Sequence, residues 1–317
     1  MRTITLGRTG IKTTAAGLGC GGHSRLGLEK YGEAHAAGIV QKAYEMGVRM
    51  YDTATMYGTE TAVGEGLKHF PRESYVLSTK LPVWDNWREN YAEKFYNTLD
   101  ASLRALKTDF IDVYNFHAVM PNDYKDVKEL LVPEMLKAQQ QGKIRFLGIT
   151  ERFDGDRSHQ MLDAALTDDI FDVIMVGYNL MNPSAAKSIL PRAIKQNVGT
   201  QCMFAVRRAL HNPAQMKADI QTILANNQGG NGLEATEQAL DFLTAPDKDG
   251  TPIATSIMDA AYRFCTHTAG IHVTLTGTSS ETHLADNLRS LASQPLPGGV
   301  LDELERLFGT VDCVCGQ

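Results

Sequence analysis

The chain lacks a long apolar run, a cysteine framework, an excess of basic residues and much tryptophan. Its 317 residues hold five cysteines, at 20, 202, 265, 313 and 315, an odd number without framework spacing. A disulfide scaffold is therefore excluded, and a compartment that keeps thiols reduced is expected. With 31 Lys+Arg against 37 Asp+Glu, a formal charge of -6, nucleic acid is not the expected partner. No stretch reads as a membrane span. The apolar residues after Arg2 and Arg8 are broken by Thr13, Thr14 and several glycines, a poor match to a secretory signal, so a cytoplasmic location is expected. Gly17-Leu18-Gly19-Cys20-Gly21-Gly22 has the glycine spacing of a dinucleotide fingerprint, but Gly17 and Gly19 fall inside a strand, and a polar loop rather than a helix follows. No two-histidine or His/Asp cluster closes a strand, so no metal site is expected and a metal-dependent hydrolase is disfavoured. Cys313-Val314-Cys315 is the one close thiol pair, open to chelation or oxidation and equally to a plain role as tail thiols.

What is present is alternation. At 43% apolar and 21% charged residues the chain can bury a large core. Short apolar strands near residues 18, 50, 77, 113, 147, 173, 201 and 273 are each followed by a helical pattern, such as Phe95, Leu99, Leu103 and Leu106 on one face. Eight such units predict an α/β fold, a (β/α)8 TIM barrel in a single domain over 1–317; a doubly wound sheet is the competitor. Residues 2–13, with Gly7 and Thr9-Gly10 as turn chemistry, predict an N-terminal β-hairpin. Pro133 is placed to start a helix that ends at Gly142. Residues 207–250 break the rhythm after the seventh strand. They predict a long insert or lid, with two helical patches around Asn226-Asn227-Gln228-Gly229-Gly230-Asn231-Gly232.

Several strands end on polar groups after apolar runs. Tyr51-Asp52 closes one, with Tyr57 five residues on; Ser78-Thr79-Lys80 closes the next; Asn115-Phe116-His117 closes the third. At the C-terminal ends of barrel strands these can converge on one mouth. Singly, each also reads as a cap, a loop aromatic, a surface amine or a core histidine. Together they suit reduction of a carbonyl: Tyr57 as acid, Lys80 lowering its pKa, Asp52 fixing Lys80, and His117 polarising the oxygen.

These segments, with Leu6-Gly7-Arg8-Thr9-Gly10-Ile11, the run Gly142 to Thr150, and Gly277-Thr278-Ser279-Ser280 followed by Leu284 and Asn287, resemble the aldo-keto reductase superfamily over nearly the whole chain. The resemblance implies a (β/α)8 barrel that transfers hydride between NADP or NAD and an aldehyde, ketone or alcohol, a sugar or small aldehyde among them. It places the catalytic tetrad on Asp52, Tyr57, Lys80 and His117. It implies a phosphate loop at Gly277, Thr278, Ser279 and Ser280, adenine-side contacts from Asp286 and Asn287, and contacts at the nicotinamide from Thr150. Glu151 stands in place of the usual asparagine and Met175 in place of a common glutamine. Met203 or Phe204 would supply the face that stacks on the ring. His283 stands where many members carry an arginine for the 2'-phosphate, leaving NADP and NAD both open. Gly22 and Arg207 are further cofactor candidates, the latter as a lid charge on the pyrophosphate. His23, Trp84 and Trp87, with Met56, are substrate candidates. A cofactor-binding regulatory or partner subunit on the same barrel is the alternative to an enzyme.

Overall fold

Thr3–Thr5 (β1) and Lys12–Thr14 (β2) pair antiparallel, Thr3 opposite Thr14, in a computed structural model that describes residues 1–84 and 86–317. The hairpin follows from its turn chemistry, since Gly7 and Gly10 take φ values of 49° and 68° that residues with a Cβ rarely adopt. Its apolar residues Leu6 and Ile11 join Met50, Val76, Val113, Val173 and Val273 in one buried cluster. The last five lie at or near the starts of their strands, so the hairpin plugs the bottom of the barrel.

Eight parallel strands close that barrel. They are Ala16–Gly19 (β3), Met50–Asp52 (β4), Val76–Pro82 (β5), Ile111–Val119 (β6), Ile144–Glu151 (β7), Val173–Gly177 (β8), Gly199–Met203 (β9) and Val273–Thr276 (β10), with β10 returning to pair with β3. The expected strand count and closure are both present, and the doubly wound alternative is overturned. The helix Tyr91–Leu106 buries Phe95, Leu99, Leu103 and Leu106, the face its sequence spacing marks. Each fully buried residue of this kind contributes about 1.5–3 kcal/mol by leaving water.

Two elements differ from expectation. The helix placed at Pro133 begins at Pro121, runs through a π-helical turn at Val127–Leu131 and continues as Val132–Gln140. Pro133 has no N–H to return to the preceding turn; the wider turn, with Val132 N–H donating to the Val127 carbonyl, lets the helix pass it. In the 207–250 insert only the first helical patch forms a helix, Pro213–Ala225, while the second holds a short 3-10 turn at Asp241–Leu243. Met216, Ile220, Ile223, Leu240 and Leu243 share a second apolar cluster with Leu304, Leu307, Phe308 and Val314. Gly230 lies so close to the terminal helix Gly298–Phe308 that a Cβ would sit 1.6 Å from the Arg306 carbonyl oxygen.

Candidate active site

The strand register brings three of the four expected side chains together. Asp52 pairs with Ser78, Lys80 with Asn115 and Pro82 with His117. Ser78 and Lys80, and likewise Asn115 and His117, are two residues apart and so face the same side of their strands. Asp52, Lys80 and His117 thus climb the inner wall in successive steps. Tyr57 arrives from a 3-10 turn at Thr55–Tyr57, closed by Gly58 at φ 70° and pinned to β5 by Thr55 Oγ1 donating to the Lys80 carbonyl at 3.0 Å.

Lys80 Nζ donates to Asp52 Oδ2 at 2.6 Å and to the Thr53 carbonyl at 2.7 Å, and Ser78 Oγ donates to Asp52 Oδ1 at 2.9 Å. The ammonium lies 5.0 Å from the centre of the Tyr57 ring, and the Tyr57 hydroxyl is 3.3 Å from His117 Nε2. Burial alone would discharge Lys80, but Asp52 and Tyr57 outweigh it and its pKa is raised. Burial also raises Asp52, with Lys80 and Ser78 pulling the other way. His117 is held well below its ordinary value, by burial first and Lys80 second, so its imidazole is neutral near pH 7. Tyr57 differs from expectation: burial raises its pKa above the ordinary phenol value, and Lys80 only offsets that rise.

Around this cluster the structure places the other candidates unevenly. Gly277 approaches β3 so closely that a Cβ would meet the Gly19 carbonyl oxygen at 2.5 Å. Behind it, Thr278 Oγ1 accepts from Ser280 N–H at 3.1 Å, and Ser280 caps the helix Glu281–Ala292. The Ser279 carbonyl accepts from His35 Nε2 at 2.8 Å. Arg207 stacks its guanidinium 3.6 Å from the centre of the Phe204 ring, faces Gly22, and keeps its Nε–H buried without a partner among the described residues. A bare glycine loop ahead of a capped helix N-terminus and an unpartnered guanidinium N–H fit an extended anion such as a pyrophosphate.

Phe204 has φ 68°, a strained value for a bulky residue, and its ring also meets Phe153 edge-on at 5.4 Å. Met203 closes β9 part-exposed beside it. Thr150 Oγ1 accepts from Ala118 N–H at 2.7 Å. Glu151 is fully buried, with His159 Nδ1 at 2.9 Å and the Gly177 N–H donating to it at 2.7 Å. Asp286 pairs with Arg289 at 2.8 Å, Asn287 Nδ2 donates to Thr276 Oγ1 at 2.9 Å, and His283 and His23 are exposed. Trp84 meets the His117 ring edge-on at 5.0 Å, whereas Trp87 is buried in the loop beyond.

One component had no sequence signal. The C-terminal tail is strapped over the β8 and β9 ends. Asn182 Nδ2 donates to the Val314 carbonyl at 2.8 Å, Asn179 Nδ2 to the Cys315 carbonyl at 3.2 Å, and Ala209 N–H to the Gly316 carbonyl at 3.0 Å. Cys313 and Cys315 are both free thiols in that strap, the first part-exposed and the second buried.

Comparison with known proteins gives the same architecture. An aldo-keto reductase of Bacillus halodurans, in its holo form, superimposes with a TM-score of 0.71 at 19% identity, covering 96% of this chain and 95% of that one. An aldo/keto reductase of Klebsiella pneumoniae, in complex with NADP and acetate, gives 0.66 at 20% identity, covering 98% and 96%. L-galactose dehydrogenase of Arabidopsis thaliana is 32% identical over 152 residues, 46% of this chain and 47% of that protein. The chain thus spans about half the length of the curated relatives it matches. The model of the aldo/keto reductase family matches residues 17–307, from the first barrel strand to the terminal helix, and the chain belongs to that family.

Proposed function

We propose that the protein is a nicotinamide-dependent oxidoreductase that interconverts an aldehyde or ketone and its alcohol, with Tyr57 as general acid. The observation that carries this is the Tyr57 hydroxyl 3.3 Å from His117 Nε2, above a buried Lys80–Asp52 pair. A carbonyl oxygen seated between the hydroxyl and the imidazole receives two hydrogen bonds, and Tyr57 passes its proton to that oxygen as negative charge develops there. Neutral His117 donates without competing as an acid. Lys80 keeps the phenol from rising further against burial, and Asp52 keeps Lys80 charged. NADP or NAD supplies the hydride when bound; Gly22, Arg207 and the loop Gly277 to Ser280 would hold its pyrophosphate, and Thr150, Met203 and Phe204 would line its nicotinamide. Glu151 is assigned a supporting part there, through its bonds to His159 and Gly177. His23 and Trp84 are assigned to the substrate mouth. Steady-state oxidation of NADPH and NADH with a panel of sugar and small aldehydes tests the reading; binding of cofactor without turnover of any of them would favour a regulatory subunit instead.

Because the Tyr57 pKa lies above the ordinary phenol value of about 10, the acid form is fully populated at pH 7 to 9. Carbonyl reduction is therefore expected to show a flat kcat over that range, while alcohol oxidation, which needs the phenolate, rises about tenfold per pH unit. A reductive rate that falls through pH 8 would contradict the assignment. At the adenine end, His283→Arg places a permanent charge on the first turn of the helix Glu281–Ala292. It is expected to tighten NADPH roughly tenfold relative to NADH, as a charge-assisted bond to phosphate would. Titrations followed by cofactor fluorescence measure both constants, and an unchanged ratio would move the phosphate away from residue 283.

A further inference from the structure

Beneath Lys80 and His117 lie two polar side chains to which the proposed reaction gives no part. Ser78 stands two residues before Lys80 on β5, and Asn115 two residues before His117 on β6, so both face the barrel interior one layer below the site. Both are fully buried. Gly148 on β7 leaves the room that the Asn115 amide fills, since a Cβ there would sit 2.1 Å from Asn115 Oδ1.

The donors and acceptors here leave one arrangement of protons. Asn115 Nδ2 lies 3.1 Å from the Thr79 carbonyl oxygen and 3.0 Å from Ser78 Oγ. A carbonyl only accepts, so the atom facing it is the amide nitrogen, whose second hydrogen is then free for Ser78. A serine hydroxyl has a single proton to give. With its oxygen accepting from Asn115, that proton goes to Asp52 Oδ1 at 2.9 Å, while Lys80 Nζ donates to Oδ2 at 2.6 Å. Each oxygen of the buried carboxylate thus has its own donor. Asn115 Oδ1 has no partner among the described residues, so the amide is held by its donor end alone.

We infer that Asn115 and Ser78 are positioning residues of the active site: Asn115 turns the Ser78 hydroxyl onto Asp52, and Ser78 holds that carboxylate ionised against Lys80. The consequence for turnover rests on the reading of Tyr57 as an acid tuned by Lys80; the hold on Asp52 does not. The other titratable groups around the pair are Cys20 just after β3, Glu60 on the helix Glu60–Leu67, His117 on β6, and Tyr57 and Arg207 from the loops after β4 and β9. Among the described residues, the side chains that hydrogen-bond the Asp52 carboxylate are Ser78 and Lys80.

Protein labelled with 13C at its aspartate carboxyls, with the Asp52 signal assigned through Asp52→Asn, reports the protonation of Asp52 without cofactor or substrate. Losing a donor to the charged form raises a carboxyl pKa. Ser78→Ala is therefore expected to move the Asp52 midpoint up by about one pH unit, the scale of a hydrogen bond to a charged group. Asn115→Leu is expected to move it the same way by less, and to add nothing in the Ser78→Ala background, because it acts through that hydroxyl. Ser78→Thr, which keeps the hydroxyl, is expected to restore the parent midpoint. In carbonyl reduction, the acid-side fall in turnover is expected to shift in the same order. Ser78→Ala deletes one oxygen and keeps the test open where Asn115→Leu fails to fold. An Asp52 midpoint that Ser78→Ala leaves in place would overturn the inference, as would an Asn115→Leu shift that persists at full size without the Ser78 hydroxyl. A shifted midpoint in a chain that reduces no carbonyl supports the hold on Asp52 and counts against the acid role of Tyr57 alone.

Discussion

Tyr57→Phe is expected to fold, to bind the nicotinamide cofactor as the parent does, and to lose about 10²- to 10⁴-fold in turnover, the usual contribution of a positioned general acid. The substitution removes one oxygen and keeps the ring. That ring is what the fold contacts, since a Cβ at Gly21 would fall 2.5 Å from it and it packs edge-on to His117 at 5.5 Å. The lost bond, 3.3 Å long at a part-exposed site, is worth about 1 kcal/mol or less. Stability is therefore nearly unchanged, and any large loss belongs to chemistry. Thermal melting, cofactor titration and single-turnover kinetics on the same preparation separate the three. Retained single-turnover rate would transfer the proton donation to another group and leave Tyr57 as packing.

What the sequence made legible, and what it did not, divides along a physical line. Asp52, Lys80 and His117 were readable because each is a polar residue ending an apolar run, and a closed barrel sends all such ends to one face. The barrel itself was readable because its strands are continuous apolar segments and its helices keep a regular apolar face. Features that depend on contacts between distant segments left no such trace. The tail strap rests on Asn179 and Asn182 meeting residues more than a hundred positions away, and no local pattern marks an asparagine for that use. The π-helical turn before Pro133 required knowing that the helix had begun at Pro121. The second patch of the insert looked helical from its apolar residues, yet it holds only a short 3-10 turn at Asp241–Leu243, and its Leu240 and Leu243 join the same apolar cluster as the helical first patch. Glu151 could be recognised as an unusual residue at its position, but its partner His159, eight residues later, stands at a helix start with φ 64°. The Tyr57 pKa was misjudged for a related reason: sequence supplies the neighbouring charge, whereas the burial that opposes it is a property of the assembled pocket.

Lys80→Met is expected to cost both stability and turnover, and a companion variant shows that the two losses have different causes. The Lys80 side chain is fully buried and that of Asp52 is 4% exposed. Removing the ammonium strands a buried carboxylate, a change that costs about 3–5 kcal/mol against total stabilities of about 5–15 kcal/mol. Asp52, already raised by burial, would rise further without Lys80. The sign of the pH dependence follows: a carboxyl whose folded pKa exceeds its unfolded value of about 3.9 weakens the fold at pH values above the folded pKa. That deficit disappears as pH falls below about 3.9, where both states are protonated. Turnover is lost for a second reason, because Lys80 is the largest influence opposing the rise in the Tyr57 pKa. The double variant Asp52→Asn/Lys80→Met removes both charges and is expected to recover most of the melting temperature, as neutral replacement of a buried pair generally does. Its turnover is expected to stay as low as that of Lys80→Met alone, since Tyr57 still lacks its cation. Recovery of turnover along with stability would mean that Lys80 acts through the fold and not on the phenol.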